Sequence, residues 1–149
     1  MYLLRKTTEK LLGDLLIERK VISKVNFDKA LEVQRERGGL IGEIIVELGF
    51  AKEENIAQAI TAQYGLPYLP LGNYEIEPGV LQNIPENVCS QYCLIPVDKI
   101  GNNLTLAMSN PLNKEAVEDI EEITKCNVQV FVATTTDIRN AIAKYYKNK

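Results

Sequence analysis

The sequence predicts an α+β protein: an N-terminal helical bundle of two tandem two-helix repeats over residues 1–72, then a small α/β lobe with a mixed sheet over residues 73–149. Three observations carry that reading. The chain repeats itself at an offset of 29 residues. After "YGLPYLPL" it changes to short apolar runs separated by turn residues. Beyond that point strand patterns and helix patterns interleave, as they do where helices cover a sheet.

The repeat aligns "LLGDLLIERKV" with "LIGEIIVELGF". At the offset of 29, Leu11, Gly13, Glu18, Asn26, Ala30 and Gln34 meet Leu40, Gly42, Glu47, Asn55, Ala59 and Gln63. Like-for-like pairs fill the gaps: Leu12 with Ile41, Asp14 with Glu43, Leu15 with Ile44, Leu16 with Ile45. A period of this size marks one supersecondary unit used twice. Each copy reads as two helices. Thr7 or Thr8 is placed to cap the first, which runs to about Arg19; Ser23 caps the next, whose apolar side carries Val25, Phe27, Leu31 and Val33 and which stops at Gly38-Gly39. In the second copy, Gly49 ends the first helix, Glu53 and Glu54 open the second near its positive end, and Gly65 with Pro67 closes it. Leu15, Leu16, Ile44, Ile45 and Leu48 recur at helical spacing and form the expected bundle core.

The joint between lobes is expected at about Gly72 to Pro78, where prolines and glycines cluster. Charge changes there too: residues 1–72 carry ten basic and ten acidic side chains, residues 73–149 seven and ten. "CLIPVDKI" and "LTLAMS" are strands joined by a hairpin turn at Gly101-Asn102-Asn103. "NKEAVEDIEEITK" is a helix with Val117, Ile120 and Ile123 inward and Glu115, Glu118, Asp119 and Glu122 outward. "VQVFVAT" is a third strand, and "TTDIRNAIAKYY" a last helix capped by Thr135 or Thr136.

Composition narrows the function. With 149 residues, 46% hydrophobic and 25% charged, the chain is long enough to bury a core. A net charge of -3 supplies no positive field for a phosphate backbone, so no nucleic-acid partner is expected. No apolar run reaches the roughly 20 residues of a membrane span, and the N-terminus does not read as a signal peptide; a cytoplasmic setting follows, peripheral to the inner membrane through partners if at all. Cys89, Cys93 and Cys126 make an odd count, which suits a reducing compartment. Cys89 and Cys93, four apart, fit one helix face, but without histidine they cannot complete a zinc set, so no metal is expected. The chain holds no phosphate loop of the G-x-x-x-x-G-K-[ST] kind and no G-x-S-x-G elbow. A binding or coupling module, not an enzyme, is the reading.

The tandem motif is Leu, an apolar residue and Gly, then an apolar run, then a second helix ending "ALEVQ" or "AITAQ". It resembles the MshEN family, the N-terminal domain of type II secretion and type IV pilus assembly ATPases. The likeness extends to "GLPYLPL", "LIPVDKIGNNLTLAMSNPLN" and "AIAKYY" and so covers nearly the whole chain. The resemblance implies a regulatory and docking domain that precedes an ATPase core in cis and meets platform or cytoplasmic partner proteins of a bacterial secretion or pilus machine. On that reading the gene continues beyond Lys149 into a Walker-type phosphate loop. Some family members bind cyclic di-GMP through both motifs, so it is the one regulatory ligand implied. The matching positions are Leu11, Leu12, Gly13, Asp14 and Gln34 in the first copy, Leu40, Ile41, Gly42, Glu43 and Gln63 in the second, and Asn110 in the second lobe.

The sequence departs from the ligand-binding version of the motif. Leu11 and Leu40 stand where that version has arginine, Lys20 stands where it has glycine although Gly49 is kept, and Asn110-Pro111 replaces an Asp-Pro. Each lost charged hydrogen-bond partner costs about 1.5–3 kcal/mol. Two such losses favour a docking domain over the alternative, a cyclic di-GMP sensor using both repeats, for which Arg35 and Arg37 just before the second copy offer substitute cations.

Overall fold

The computed structural model describes residues 11–146. Thr7 and Thr8 lie outside that range. The chain divides into two compact units between Gly65 and Leu66. The division comes earlier than the expected joint at residues 72–78 because Leu66, Leu69 and Leu71 pack into the core of the second unit.

The first unit, called here the repeat unit, contains four helices among the described residues: α1 (Leu12–Glu18), α2 (Lys24–Arg37), α3 (Ile41–Glu47) and α4 (Glu53–Tyr64). Helices α1 and α3 are short because each ends in the same Schellman turn. In the first copy Val21 N–H donates to Leu16 O at 2.9 Å and Lys20 N–H to Ile17 O at 3.0 Å. In the second, Phe50 N–H donates to Ile45 O and Gly49 N–H to Val46 O, both at 3.0 Å. Such a turn needs a residue with positive φ. Gly49 adopts φ 79° at no steric cost, and Lys20 adopts φ 61° against the preference of a residue with a Cβ.

Ser23 caps α2 as expected, its Oγ accepting from Asn26 N–H at 3.1 Å. The equivalent position in the second copy is Lys52, which cannot cap in that way. There Asn55 Oδ1 reaches back to accept from Lys52 N–H at 3.2 Å. Helix α2 ends at Gly38 (φ 74°) and Gly39 (φ 103°), which turn the chain sharply into α3.

Packing runs across the copies: α1 lies on α4 and α2 lies on α3. The core they enclose is Leu16, Ile22, Ala30, Ile44, Ile45, Ile56 and Ala59. Leu15 is buried as well, and two expected apolar positions are exposed. Leu48 follows the last residue of α3 and is 40% exposed, and Val25, in the first turn of α2, is 64% exposed.

The second unit, the sheet unit, holds strands β1 (Leu94–Ile100), β2 (Asn103–Met108) and β3 (Asn127–Val132), with helices α5 (Pro78–Leu81), α6 (Glu86–Tyr92), α7 (Lys114–Thr124) and α8 (Thr135–Tyr146). The strand order is β1-β2-β3; the first pair is an antiparallel hairpin and the second is parallel, joined through α7. This is the mixed sheet expected. Helix α7 lies against β3, and α8 against β1 and β2. The core joins Leu94, Ile95, Leu104, Leu106 and Met108 with Val117, Ile120, Ile138 and Ala141. Ile123, expected inside, is 50% exposed, because the last turn of α7 carries it past the sheet.

The cap of α8 is Thr134, not Thr135 or Thr136: its Oγ1 accepts from Asp137 N–H at 3.2 Å. Cys93 ends α6 in the left-handed region at φ 53°, so it does not share a helix face with the buried Cys89. Three tyrosine hydroxyls tie the irregular segment 74–89 to this framework. Tyr146 Oη lies 2.9 Å from Ile84 O, 3.1 Å from Leu81 O and 3.4 Å from Cys89 Sγ. Tyr145 Oη takes the N–H of Ile76 at 3.2 Å, and Tyr74 Oη donates to Val97 O at 3.1 Å. Burial, then the neighbouring Cys89, holds the Tyr146 hydroxyl far above the usual tyrosine range. Tyr92 donates to the Asp119 carboxylate and joins α6 to α7. That bond, followed by burial, pushes its pKa up to about 12. No helix of the described residues is long and apolar enough to cross a membrane.

Candidate functional site

The tandem motif places two equivalent sets of residues at the starts of α1 and α3. Leu11 and Leu40 are the N-caps, both in extended conformation and without a side-chain cap hydrogen bond. They are 61% and 45% exposed, so two large apolar side chains stand in solvent where the ligand-binding motif has cations. Asp14 and Glu43 are exposed in the first turns, where their carboxylates complement the helix dipoles. The same carboxylates oppose an approaching anion. Leu12 and Ile41 are half-buried and pack on the repeat core.

Gly13 and Gly42 have a packing reason. Both are buried. A Cβ at Gly42 would sit 2.8 Å from Ile56 Cγ2, and one at Gly13 would fall on the ring of Phe27. Phe27 and Ile56 are themselves related by the offset of 29. Each copy is therefore a helical hairpin whose second helix presses a large apolar side chain onto the glycine of the first. The helix approach alone accounts for both glycines.

The two glutamines differ. Gln34 is half-buried, and its Nε2 donates to Gly39 O at 3.0 Å, pinning the linker between the copies. Gln63 is 6% exposed. Arg37 pairs with the Glu47 carboxylate, across from α2 to the end of α3. Asn110 belongs to the sheet unit, where its Oδ1 accepts from Leu112 N–H at 3.1 Å and shapes the turn into α7. The repeat unit thus brings the ten motif residues into one small bundle, while Asn110 serves a local turn. Sequence reasoning placed Phe27 on an apolar helix face but missed that Phe27 and Ile56 meet the glycines, and missed the Arg37–Glu47 pair. Reading the offset one step further along the hairpins would have paired the first two. Among the described residues no three metal-ligating side chains cluster.

These features define a class: a two-unit α+β domain whose first unit is an internally repeated helical bundle. The MshEN domain model matches residues 64–149. Type IV pilus assembly ATPase PilB of Myxococcus xanthus (strain DK1622) is 34% identical over 138 residues, which are 93% of this chain and 24% of PilB. Among solved structures, one described as MshE with cdg superposes with a TM-score of 0.80 at 24% identity, covering 93% of this chain and all of that one. The N-terminal domain of XpsE superposes with a TM-score of 0.73 at 20% identity, covering 93% of this chain and 99% of the other. The chain belongs to the MshEN domain family. It spans about a quarter or less of the curated relatives it matches and corresponds to that one domain, without an ATPase core.

Proposed function

We propose that this chain is the regulatory and docking domain of a type IV pilus or type II secretion assembly ATPase, coupling the motor to platform or cytoplasmic partner proteins of that machine. The observation that carries this reading is the pair of exposed leucines, Leu11 and Leu40, at the equivalent N-caps of the tandem motif. Apolar side chains of this size favour protein contact over water, roughly 1.5–3 kcal/mol each when fully buried. They offer an anionic nucleotide neither charge nor a donor. The direct measurement is binding of the purified chain to the cytoplasmic segments of the pilus or secretion platform protein by biolayer interferometry. Binding that is lost when both leucines become aspartate is the expected result; undiminished binding by that variant removes the leucines from the interface, and no binding at all removes the docking role.

A second reading, a cyclic di-GMP sensor, is favoured by the kept tandem motif and by the likeness to the structure of MshE with cdg. Against it stand the packing reason for both glycines, the Gln34–Gly39 bond and the acidic first turns. Titration calorimetry decides between them. No heat at about 100 micromolar cyclic di-GMP, a concentration that detects even a weak site, excludes the sensor.

A further inference from the structure

The linker between the two copies is three residues long, Gly38 to Leu40, and it alone decides which second copy completes the first. Each copy is a hairpin with its own glycine contact, through Phe27 or Ile56, and the two copies share one core. The larger faces between hairpins, α1 on α4 and α2 on α3, are contacts of one copy with the other. Nothing in those faces requires that both hairpins come from one chain. The Arg37–Glu47 pair is likewise a contact between copies and would re-form across two chains. Only the linker's own features belong to the closed, single-chain form: the positive φ of Gly38 and Gly39 and the bond from Gln34 Nε2 to Gly39 O.

We propose that a second copy of this chain is a binding partner of the repeat unit, through reciprocal exchange of hairpins about Gly38–Gly39, and that Gln34 holds that exchange in check. Exchange between identical hairpins preserves the core contacts and alters only the hinge, which makes hinge chemistry the controlling term. The space around the hinge makes the test clean. A Cβ at Gly38 meets nothing within 4 Å, and one at Gly39 meets only Ile44 Cδ1 at 3.9 Å. A Cβ added there acts on backbone conformation without a close contact.

The test is the mass of the full chain by light scattering, after refolding at high protein concentration. In the double variant Gly38→Val, Gly39→Val, β-branched residues resist positive φ, and two hinges are relieved per dimer. The dimer association constant is expected to rise at least about tenfold with helical circular dichroism unchanged, since one unit of left-handed strain alone is of that order. In a mixed labelled and unlabelled dimer, isotope-filtered spectra should give contacts between α1 of one chain and α4 of the other. Gln34→Ala is the milder variant and shifts the equilibrium in the same direction, while Arg37→Ala does not. A monomeric double variant, a dimer lacking the intermolecular α1–α4 contacts, or an equal shift from Arg37→Ala and Gln34→Ala would each overturn the proposal. If the double variant fails to fold, a Gln34→Ala chain that refolds only to monomer overturns it as well.

Discussion

The two copies of the repeat share a backbone but not a chemistry. Both short helices end in the same pair of hydrogen bonds, yet one turn is made by Gly49 and the other by Lys20. Both second helices start at the same register, one capped by the Ser23 hydroxyl and the other by the side chain of Asn55. Both glycines receive an apolar side chain, the Phe27 ring in one hairpin and the stiff branch of Ile56 in the other. The comparison teaches that this repeat preserves two backbone events, a close helix approach and a left-handed turn. The glycine of the close approach is the same in both copies, while the side chain packed on it and the residue of the turn differ.

The largest expected effect concerns what the leucines replaced. Leu11→Arg with Leu40→Arg supplies two charged donors, and if cyclic di-GMP sits at these positions each is worth about 1.5–3 kcal/mol. Titration calorimetry should then register an affinity gain of roughly 100-fold or more over the unmodified chain. No gain would mean that the leucines are not the deciding difference.

The glycine contacts come next. Gly42→Ala should destabilise the chain by about 1–2 kcal/mol in urea unfolding, because the branched Ile56 cannot yield to a new methyl group. Gly13→Ala should cost about half as much. The Phe27 ring is only half-buried and can swing outward. A larger cost at Gly13 would make the aromatic contact the stiffer of the two.

The left-handed turns give a signed pair. Lys20→Gly relieves strain and should stabilise by about 0.5–1 kcal/mol after the entropy gained by the unfolded chain is counted. Gly49→Ala should destabilise by about 1 kcal/mol, and no packing clash contributes, since a Cβ there meets nothing within 4 Å. Thermal melting of both variants reads the pair. The caps are of similar size: Ser23→Ala should cost about 1 kcal/mol and Asn55→Ala about 0.5 kcal/mol, both measurable by chemical denaturation.

Much of this architecture was legible in the sequence. The offset of 29 located four helices, and period and turn residues located three strands, α7 and α8. The short helices α5 and α6 were not located: Pro78 read as part of a breaker cluster, whereas it is the first residue of α5, where a missing N–H costs nothing, and α6 follows Pro85 as its N-cap. The joint was placed too late because "LPYLPL" reads as a linker by its prolines, whereas its leucines are core residues of the sheet unit. Exposure at helix ends was misjudged for Val25, Leu48 and Ile123, since periodicity names a face but not where the neighbouring element stops. At the candidate site, the repeat picked out Gly13 and Gly42 by type, but their cause lies in Phe27 and Ile56, a tertiary contact. For Gln34 the resemblance implied a ligand position, and in the structure its amide fixes the linker.

The tyrosines at the foot of α8 have a mechanical consequence. Tyr145 and Tyr146 close the last described turn of that helix, and their hydroxyls meet Ile76, Leu81 and Ile84, far away in the chain. A pull on that end of α8 does not peel the helix from its tip one residue at a time. It loads bonds to three distant residues together, in shear, and transmits the tension to α5 and the turn before α6.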